Sequence, residues 1–106
     1  NNDDLALGAS DAYKLLYRTE AGRPVFFGID GTDVGLEAVA DSELAGTVYN
    51  DKEGQAEAMA KLAAALVTGK GMDEIELENG KYVYVPYSKV TMENVEDYIK
   101  KEQQDR

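Results

Sequence analysis

Three polar residues, Asn2, Asp30 and Asn50, stand where buried segments of the chain are predicted to end. Asp30 closes the apolar run 24–29, Asn50 closes the run 45–49, and Asn2 directly precedes the first predicted helix. Carboxylate and amide oxygens accept hydrogen bonds and amide nitrogens donate them, so these side chains can match hydroxyl groups, which do both. Each residue taken singly is also a common helix cap or turn residue. Three of them at successive segment ends favour a site for a hydroxyl-rich ligand.

Three tyrosines could instead offer aromatic faces on which a ligand stacks. Tyr82 and Tyr84 alternate in a predicted hairpin, and Tyr49 lies in a predicted strand. Alternating aromatic residues on a hairpin usually pack one of its faces against a core. We therefore predict core packing for all three tyrosines.

An acidic run could indicate a calcium loop; it comprises Asp73, Glu74, Glu76 and Glu78. The fixed ligand spacing and the internal glycine of an EF-hand loop are absent from it, so a solvated face is the better interpretation. The chain has no histidine and no cysteine, which excludes disulfides, the usual zinc sites and thiol or histidine-assisted nucleophiles. The sequence therefore predicts no metal site, no cofactor and no catalytic residue.

The chain is short and strongly acidic. Its 106 residues include 21 acidic and 11 basic ones, which gives a formal net charge of -10. This charge opposes binding to the phosphates of nucleic acids or to anionic membranes. A hydrophobic content of 43% is sufficient for a core, so we expect one small globular domain that does not bind nucleic acid.

Helices and buried strands are predicted to alternate in the first half of the chain. Apolar residues at helical spacing predict a helix over residues 4–18, capped by one of the two aspartates at its start. The nearly continuous apolar run 24–29 is typical of a parallel strand that is buried on both faces. A second helix is predicted to begin at a cap on Thr32 or Asp33, and a second strand to cover residues 45–49.

The second half of the chain begins with the clearest helix pattern, which runs from Asp51 to Val67 and ends at Gly69. Its apolar stripe is expected to face a sheet and comprises Ala56, Met59, Ala60, Ala63, Ala64, Leu66 and Val67. Because alanines are small, this helix could lie close against a sheet. Without a sheet to pack on, the same face would leave apolar surface exposed.

A hairpin and a last helix are predicted to complete the chain. Asn79-Gly80, which lies between the runs 75–77 and 82–85, is the strongest short hairpin signal. Thr91 is predicted to cap a last helix, whose apolar residues are Met92, Val95, Tyr98 and Ile99. Helices that alternate with buried strands predict an α/β layered fold with a parallel sheet, in which ligands bind beyond the carboxyl ends of the strands.

Four segments of the chain form an ordered set. They are Asn-Asn-Asp-Asp-Leu-Ala-Leu-Gly-Ala at 1–9, Pro-Val-Phe-Phe-Gly-Ile-Asp at 24–30, Leu-Ala-Gly-Thr-Val-Tyr-Asn-Asp at 44–51 and Val-Pro-Tyr at 85–87. Together they resemble the carboxy-terminal part of type I periplasmic sugar-binding proteins, in particular the branch that binds galactose and glucose. The first segment also resembles ribose-binding proteins and the sugar-sensing domains of lactose-repressor-type regulators. The resemblance covers essentially the whole chain.

The resemblance implies a role for the three residues named first. In that family, the residues that match Asn2, Asp30 and Asn50 hydrogen-bond the hydroxyls of a pyranose, so this chain is expected to carry part of a hexose site. The aromatic faces, the other polar contacts and most of the calcium loop of the family lie upstream of the part that this chain resembles. We therefore expect a processed or truncated chain in which Asn1 follows a missing strand.

The resemblance also implies a two-lobe architecture and a place of action. It assigns residues 1–50 and 88–106 to one lobe and residues 51–87 to the other. It implies an exported protein, periplasmic or lipid-anchored at the cell surface, which delivers a monosaccharide to an ABC transporter permease or a chemotaxis receptor without catalysis. A chain divided in this way is expected to form a homodimer or a domain-swapped dimer that covers its apolar faces.

Three alternatives to this function were weighed. The effector-binding domain of a lactose-repressor-type transcriptional regulator shares the opening segment. A glycosidase would pair Asp30 with a second carboxylate in an apolar pocket, and the sequence offers no candidate. A phosphoacceptor receiver domain would need a longer spacing between acceptor and switch than this chain provides. Its acidic pair, acceptor, switch and basic partner would be Asp3 with Asp4, Asp30, Thr47 and Lys89.

Overall fold

The computed structural model describes residues 2–17 and 22–105, which form two compact units. The first unit consists of Asn1–Asn50 and Ser88–Arg106, and the second of Asp51–Tyr87. The assignment of these segments to two lobes of a larger protein stays a prediction. No helix in the described ranges has the length and apolar character needed to cross a membrane.

The first helix, α1, spans Asp3–Tyr17. Asn2 caps it, because the Oδ1 atom of Asn2 accepts a hydrogen bond of 2.9 Å from the backbone N–H of Leu5. The cap is therefore one residue earlier than predicted, and the carboxylate of Asp3 is buried and bonded to other segments. The predicted end of this helix at Arg18 lies outside the described residues.

A small mixed sheet runs through the first unit. Strand β1, Gly46–Tyr49, pairs antiparallel with β2, Ser88–Thr91. Residues 26–30 pair with β1 in parallel through isolated bridges, so the predicted strand over 24–29 is present as a short parallel partner. Strand β2 was not predicted, because Val90 is its only apolar residue. The sheet thus combines the predicted parallel pairing with one antiparallel strand.

Two further helices complete the first unit. Helix α2, Asp33–Ala40, contacts α1, β1 and the last helix, α4, which spans Val95–Gln104. Of the two predicted caps, Thr32 and Asp33, it is Thr32 that caps α2, and its Oγ1 atom accepts a hydrogen bond of 3.0 Å from the N–H of Gly35. The prediction that Thr91 caps the last helix was wrong, because Thr91 still belongs to β2 and a turn follows it. The buried core consists of Ala6, Leu36, Ala38, Val39, Leu44, Tyr49, Val90 and Val95.

The second unit contains one long helix, α3, which spans Lys52–Thr68. Both of its predicted ends are confirmed. Asp51 caps it by accepting a hydrogen bond of 3.2 Å from the N–H of Gly54, and Gly69 ends it in the left-handed conformation. A short 3-10 turn, Met72–Glu74, follows the helix.

The face of α3 that was predicted to pack on a sheet is exposed. All seven residues of the predicted stripe are exposed, and Leu66 and Val67 reach exposed fractions of 67% and 87%. The helix instead turns Ala58, Leu62 and Ala65 inward. Within the second unit, residues 75–85 provide only a single bridge rather than a sheet, so most of the helix surface remains uncovered.

The Asn79-Gly80 turn forms as predicted, but its flanking strands are minimal. Both turn residues have positive φ, of 53° and 68°, and one antiparallel bridge joins Glu78 to Tyr82. The exposed fractions of Tyr82 and Tyr84 are 52% and 69%, so the prediction of core packing was wrong for these two tyrosines. The two rings lie beside each other, with a centroid distance of 6.0 Å.

Candidate functional site

Backbone hydrogen bonds join the segment ends that carry Asn2, Asp30 and Asn50. The N–H of Asp3 donates to the carbonyl of Ile29 over 2.9 Å, which places the start of α1 beside the residue before Asp30. The N–H of Asn50 donates to the carbonyl of Asp30, also over 2.9 Å. The structure therefore brings all three predicted site residues to one edge of the first unit.

The two asparagines contribute differently to this edge. Asn2 is exposed and uses its Oδ1 atom as the cap of α1, which leaves its Nδ2 group as a potential donor to a ligand. Asn2 therefore acts as a helix cap, which was the alternative to a binding role. Asn50 is half-buried and follows β1 directly.

Asp30 has an unusual backbone conformation for a residue with a side chain. Its φ is 119°, and its side chain is half-buried. Its N–H donates to the carbonyl of Val48 over 2.8 Å, while its carbonyl accepts the hydrogen bond from Asn50. Conformations of this kind cost about 1–3 kcal/mol and collect at binding sites, where the surrounding structure maintains them. Here the pairing with the β1 segment maintains it.

A buried carboxylate, that of Asp3, connects the segments around this edge. Asp3 is 1% exposed. Its Oδ2 atom accepts hydrogen bonds from the backbone N–H of Thr32 over 2.8 Å and from the Thr32 hydroxyl over 3.1 Å. Its Oδ1 atom accepts a hydrogen bond from the hydroxyl of Thr47. Both carboxylate oxygens are therefore occupied by donors from the segments that follow Asp30 and precede Asn50.

Two glycines make room for this carboxylate. A Cβ atom on Gly28 would stand 2.1 Å from Oδ1 of Asp3, and a Cβ atom on Gly35 would stand 1.9 Å from Oδ2. Both distances are below the 3.0 Å that real Cβ contacts respect. The Asp3 carboxylate can occupy this position only because these two residues carry no side chain.

The role of Asp3 was not predicted from the sequence, where Asp3 is a candidate only for a helix cap or for the acidic pair of a receiver domain. Thr47 was the available signal, since a polar residue in an otherwise apolar buried strand requires a buried partner. Over residues 2–17 and 22–105, no three acidic side chains stand close enough to form a metal site.

Comparisons with known proteins relate this chain to sugar-binding proteins. No family model matches the chain. The D-galactose/methyl-galactoside binding periplasmic protein MglB of Haemophilus influenzae is 36% identical over 103 residues, which are 94% of this chain and 30% of that protein. This chain is homologous to part of the type I periplasmic sugar-binding proteins. The resemblance inferred from its sequence is thereby confirmed.

Solved structures with the periplasmic-binding-protein fold confirm the α/β fold class. An ABC transporter solute binding protein from Bacillus halodurans with bound myo-inositol has a TM-score of 0.74 and 34% identity. A twin-arginine translocation pathway signal protein from Burkholderia phytofirmans has a TM-score of 0.77 and 27% identity. The matches cover 94% and 99% of this chain but 31% and 32% of those chains. The chain therefore spans about a third of the length of its relatives.

Proposed function

We propose that this chain supplies part of a hexose-binding site in the substrate-binding component of an ABC sugar transporter. The strongest support is the placement of Asn2, Asp30 and Asn50 at joined segment ends in a homologue of a galactose-binding periplasmic protein. The myo-inositol held by the Bacillus halodurans relative is, like a pyranose, a six-membered ring that carries hydroxyl groups. The proposed ligand class is therefore a ring with several adjacent hydroxyls.

Each of the three residues has a defined part in the proposed site. The carboxylate of Asp30 accepts hydrogen bonds from sugar hydroxyls, and bonds to a charged acceptor are stronger than neutral ones. The side chain of Asn50 donates and accepts, and the Nδ2 group of Asn2 donates. The proposed role is recognition without chemical conversion of the sugar.

The proposed architecture assigns the two units to different lobes of a larger protein. Residues 1–50 and 88–106 belong to one lobe, and residues 51–87 contribute to the other. The remaining contacts to the sugar come from outside this chain. The complete protein acts in the periplasm, or lipid-anchored at the cell surface, and passes the monosaccharide to a permease.

A titration of the isotope-labelled chain with galactose, glucose and myo-inositol, followed by heteronuclear NMR, tests this proposal. We expect sugar-induced shifts of the Asp30 and Asn50 backbone amides and of the Asn2 side-chain amide. They should appear only at millimolar sugar concentrations, because three polar side chains bury too little of the ligand to offset the costs of association. The side-chain amide of Asn79, in the hairpin turn of the second unit, is the internal control.

The Asp30→Ala variant makes the test specific. Loss of a charged acceptor costs about 1.5–3 kcal/mol, so the initial slope of the titration should fall at least about tenfold. An unchanged slope in this variant, or a wild-type chain without any localised response, would refute the proposed site. Micromolar affinity of the isolated chain would refute the expectation that the site is incomplete.

We further propose that the isolated chain self-associates through the exposed stripe of α3. Support comes from the apolar residues on that face, among which Met59, Leu66 and Val67 are the large ones and are all more than 60% exposed. In the proposed two-lobe protein, the same face would pack against a sheet of the other lobe. A homodimer or a domain-swapped dimer would cover it in the isolated chain.

A further inference from the structure

We infer that Asp3 is a positioning residue of the proposed sugar site: its buried carboxylate sets the spacing of Asn2, Asp30 and Asn50 without contacting the ligand. This inference rests on the proposed function. Asp3 is 1% exposed, so a sugar in contact with its neighbours cannot reach its carboxylate. Its contribution must therefore pass through the residues that it holds.

The hydrogen bonds of Asp3 reach every segment that carries a site residue. Asn2 directly precedes Asp3 in the chain. The N–H of Asp3 donates to the carbonyl of Ile29, next to Asp30. Its Oδ2 atom holds Thr32, two residues after Asp30, and its Oδ1 atom holds Thr47, three residues before Asn50. One carboxylate thus connects the three segments.

The three donors around Asp3 match a carboxylate better than an amide. The backbone N–H of Thr32 can only donate. The hydroxyl of Thr32 accepts from the N–H of Gly35 and so offers its hydrogen to Asp3. An asparagine in place of Asp3 could accept from Thr32 through one uncharged oxygen, and its NH2 group would turn toward Thr47, whose hydroxyl would have to change from donor to acceptor. The segments would then lose part of their common attachment.

Substitutions at Asp3 and Thr47 test the inference in the NMR titration described above. In Asp3→Asn, the initial slope of the sugar response should fall about tenfold, because the hydrogen bonds that join the three segments lose their charged acceptor. Thr47→Val removes one hydroxyl at nearly constant volume and should lower the slope about threefold or more. Thr47→Ser keeps the hydroxyl and should restore the response to the wild-type slope.

A stability-matched control separates positioning from general destabilisation. Val95 is a buried core residue of α4, a helix that contains none of the hydrogen-bond partners named for Asp3, and Val95→Ala should lower the melting temperature without altering the sugar response. If Asp3→Asn and Thr47→Val lose no more of the response than Val95→Ala does at equal loss of stability, Asp3 is merely structural and the inference is wrong.

Hydrogen exchange of the Asn50 amide, which is bonded to the carbonyl of Asp30, provides a readout without any sugar. At equal stability, this amide should exchange at least about tenfold faster in Asp3→Asn than in Val95→Ala. If the wild-type chain shows no sugar response, the proposed function fails, and this exchange ratio alone then decides the inference. A ratio near one overturns it; a response to sugar with unaltered slope in Asp3→Asn also overturns it.

Discussion

At the scale of single residues, Asp30 combines a strained backbone with a half-buried carboxylate. Its φ of 119° suits glycine, which adopts positive φ without steric cost. A residue with a side chain at such a position lowers the stability of the fold. The strain therefore supports a functional role for the carboxylate, which glycine could not supply.

Replacement of Asp30 by glycine should separate stability from binding. We expect Asp30→Gly to raise the free energy of unfolding by about 1 kcal/mol, measured by urea denaturation, because the strain is relieved. The sugar-induced NMR shifts should disappear in the same variant. Ser42→Gly is the matched control, because Ser42 also has a positive φ, of 62°, but lies in the loop after α2. Ser42→Gly should also be stabilised, but its sugar response should be intact. A lower free energy of unfolding in Asp30→Gly than in the wild type would contradict the strain argument.

Single residues also show which parts of the candidate site could be predicted from the sequence. Asn2, Asp30 and Asn50 were selected by a local rule, that polar residues at strand ends gather at one edge of a sheet, and the structure brings them together. Asp3 follows no local rule. Its partners Thr32 and Thr47 lie 29 and 44 positions away in the chain, and only the folded structure identifies them.

At the scale of secondary structure, a buried tyrosine joins the sheet to the last helix. The hydroxyl of Tyr49, at the end of β1, donates a hydrogen bond of 2.6 Å to the Oε1 atom of Glu102 in α4. The Tyr49 ring contacts Tyr98 at a centroid distance of 4.9 Å, and Lys101 places its Nζ atom 4.9 Å from the Tyr49 centroid. Both hydrogen-bonding residues are buried, at 1% and 7% exposure.

Removal of the Tyr49 hydroxyl should therefore weaken the attachment of α4. We expect Tyr49→Phe to lower the free energy of unfolding by about 2 kcal/mol, because a buried carboxylate loses a donor. Tyr98→Phe, on the ring that packs against Tyr49, should change it by less than about 0.5 kcal/mol. Urea denaturation of both variants measures the difference, and equal effects would show that the hydrogen bond contributes nothing.

The elements themselves were predictable to different degrees. Helices α2 and α3 have side-chain caps that are visible in the sequence, and both caps are present. Strand β2 carries almost no apolar pattern and depends on pairing with β1. The inward face of α3 was also missed, since several faces of this helix are apolar and only its neighbours determine which one is buried.

At the scale of the whole molecule, net charge and exposed apolar surface oppose each other. The charge of -10 favours separate molecules. Its repulsion is screened beyond about 8 Å at physiological salt, whereas each Å² of covered apolar surface contributes about 25 cal/mol. Burial of the exposed α3 stripe should therefore dominate, and we expect the isolated chain to associate.

Polar substitutions on that stripe should shift the chain to the monomer. We expect Leu66→Gln with Val67→Gln to abolish association at tens of micromolar, as measured by sedimentation, while helix content by circular dichroism is retained. Glu57→Gln with Lys61→Gln is the control, because it removes an exposed ion pair on the same helix without altering the net charge. A wild-type chain that sediments as a stable monomer would contradict the expected association.

The register of the antiparallel pair has a consequence for how the chain is connected. Tyr49 and Ser88 are direct partners across β1 and β2, yet the compact unit Asp51–Tyr87 lies between them in sequence. In terms of connectivity, this unit is an insertion into what would otherwise be a tight β-hairpin. The entropic cost of closing such a loop grows only logarithmically with the loop length, so the pairing of the two strands tolerates an insertion of this size. Evolution or protein engineering could therefore exchange the inserted unit, enlarge it or reduce it to a short turn while the pairing of the two strands persists.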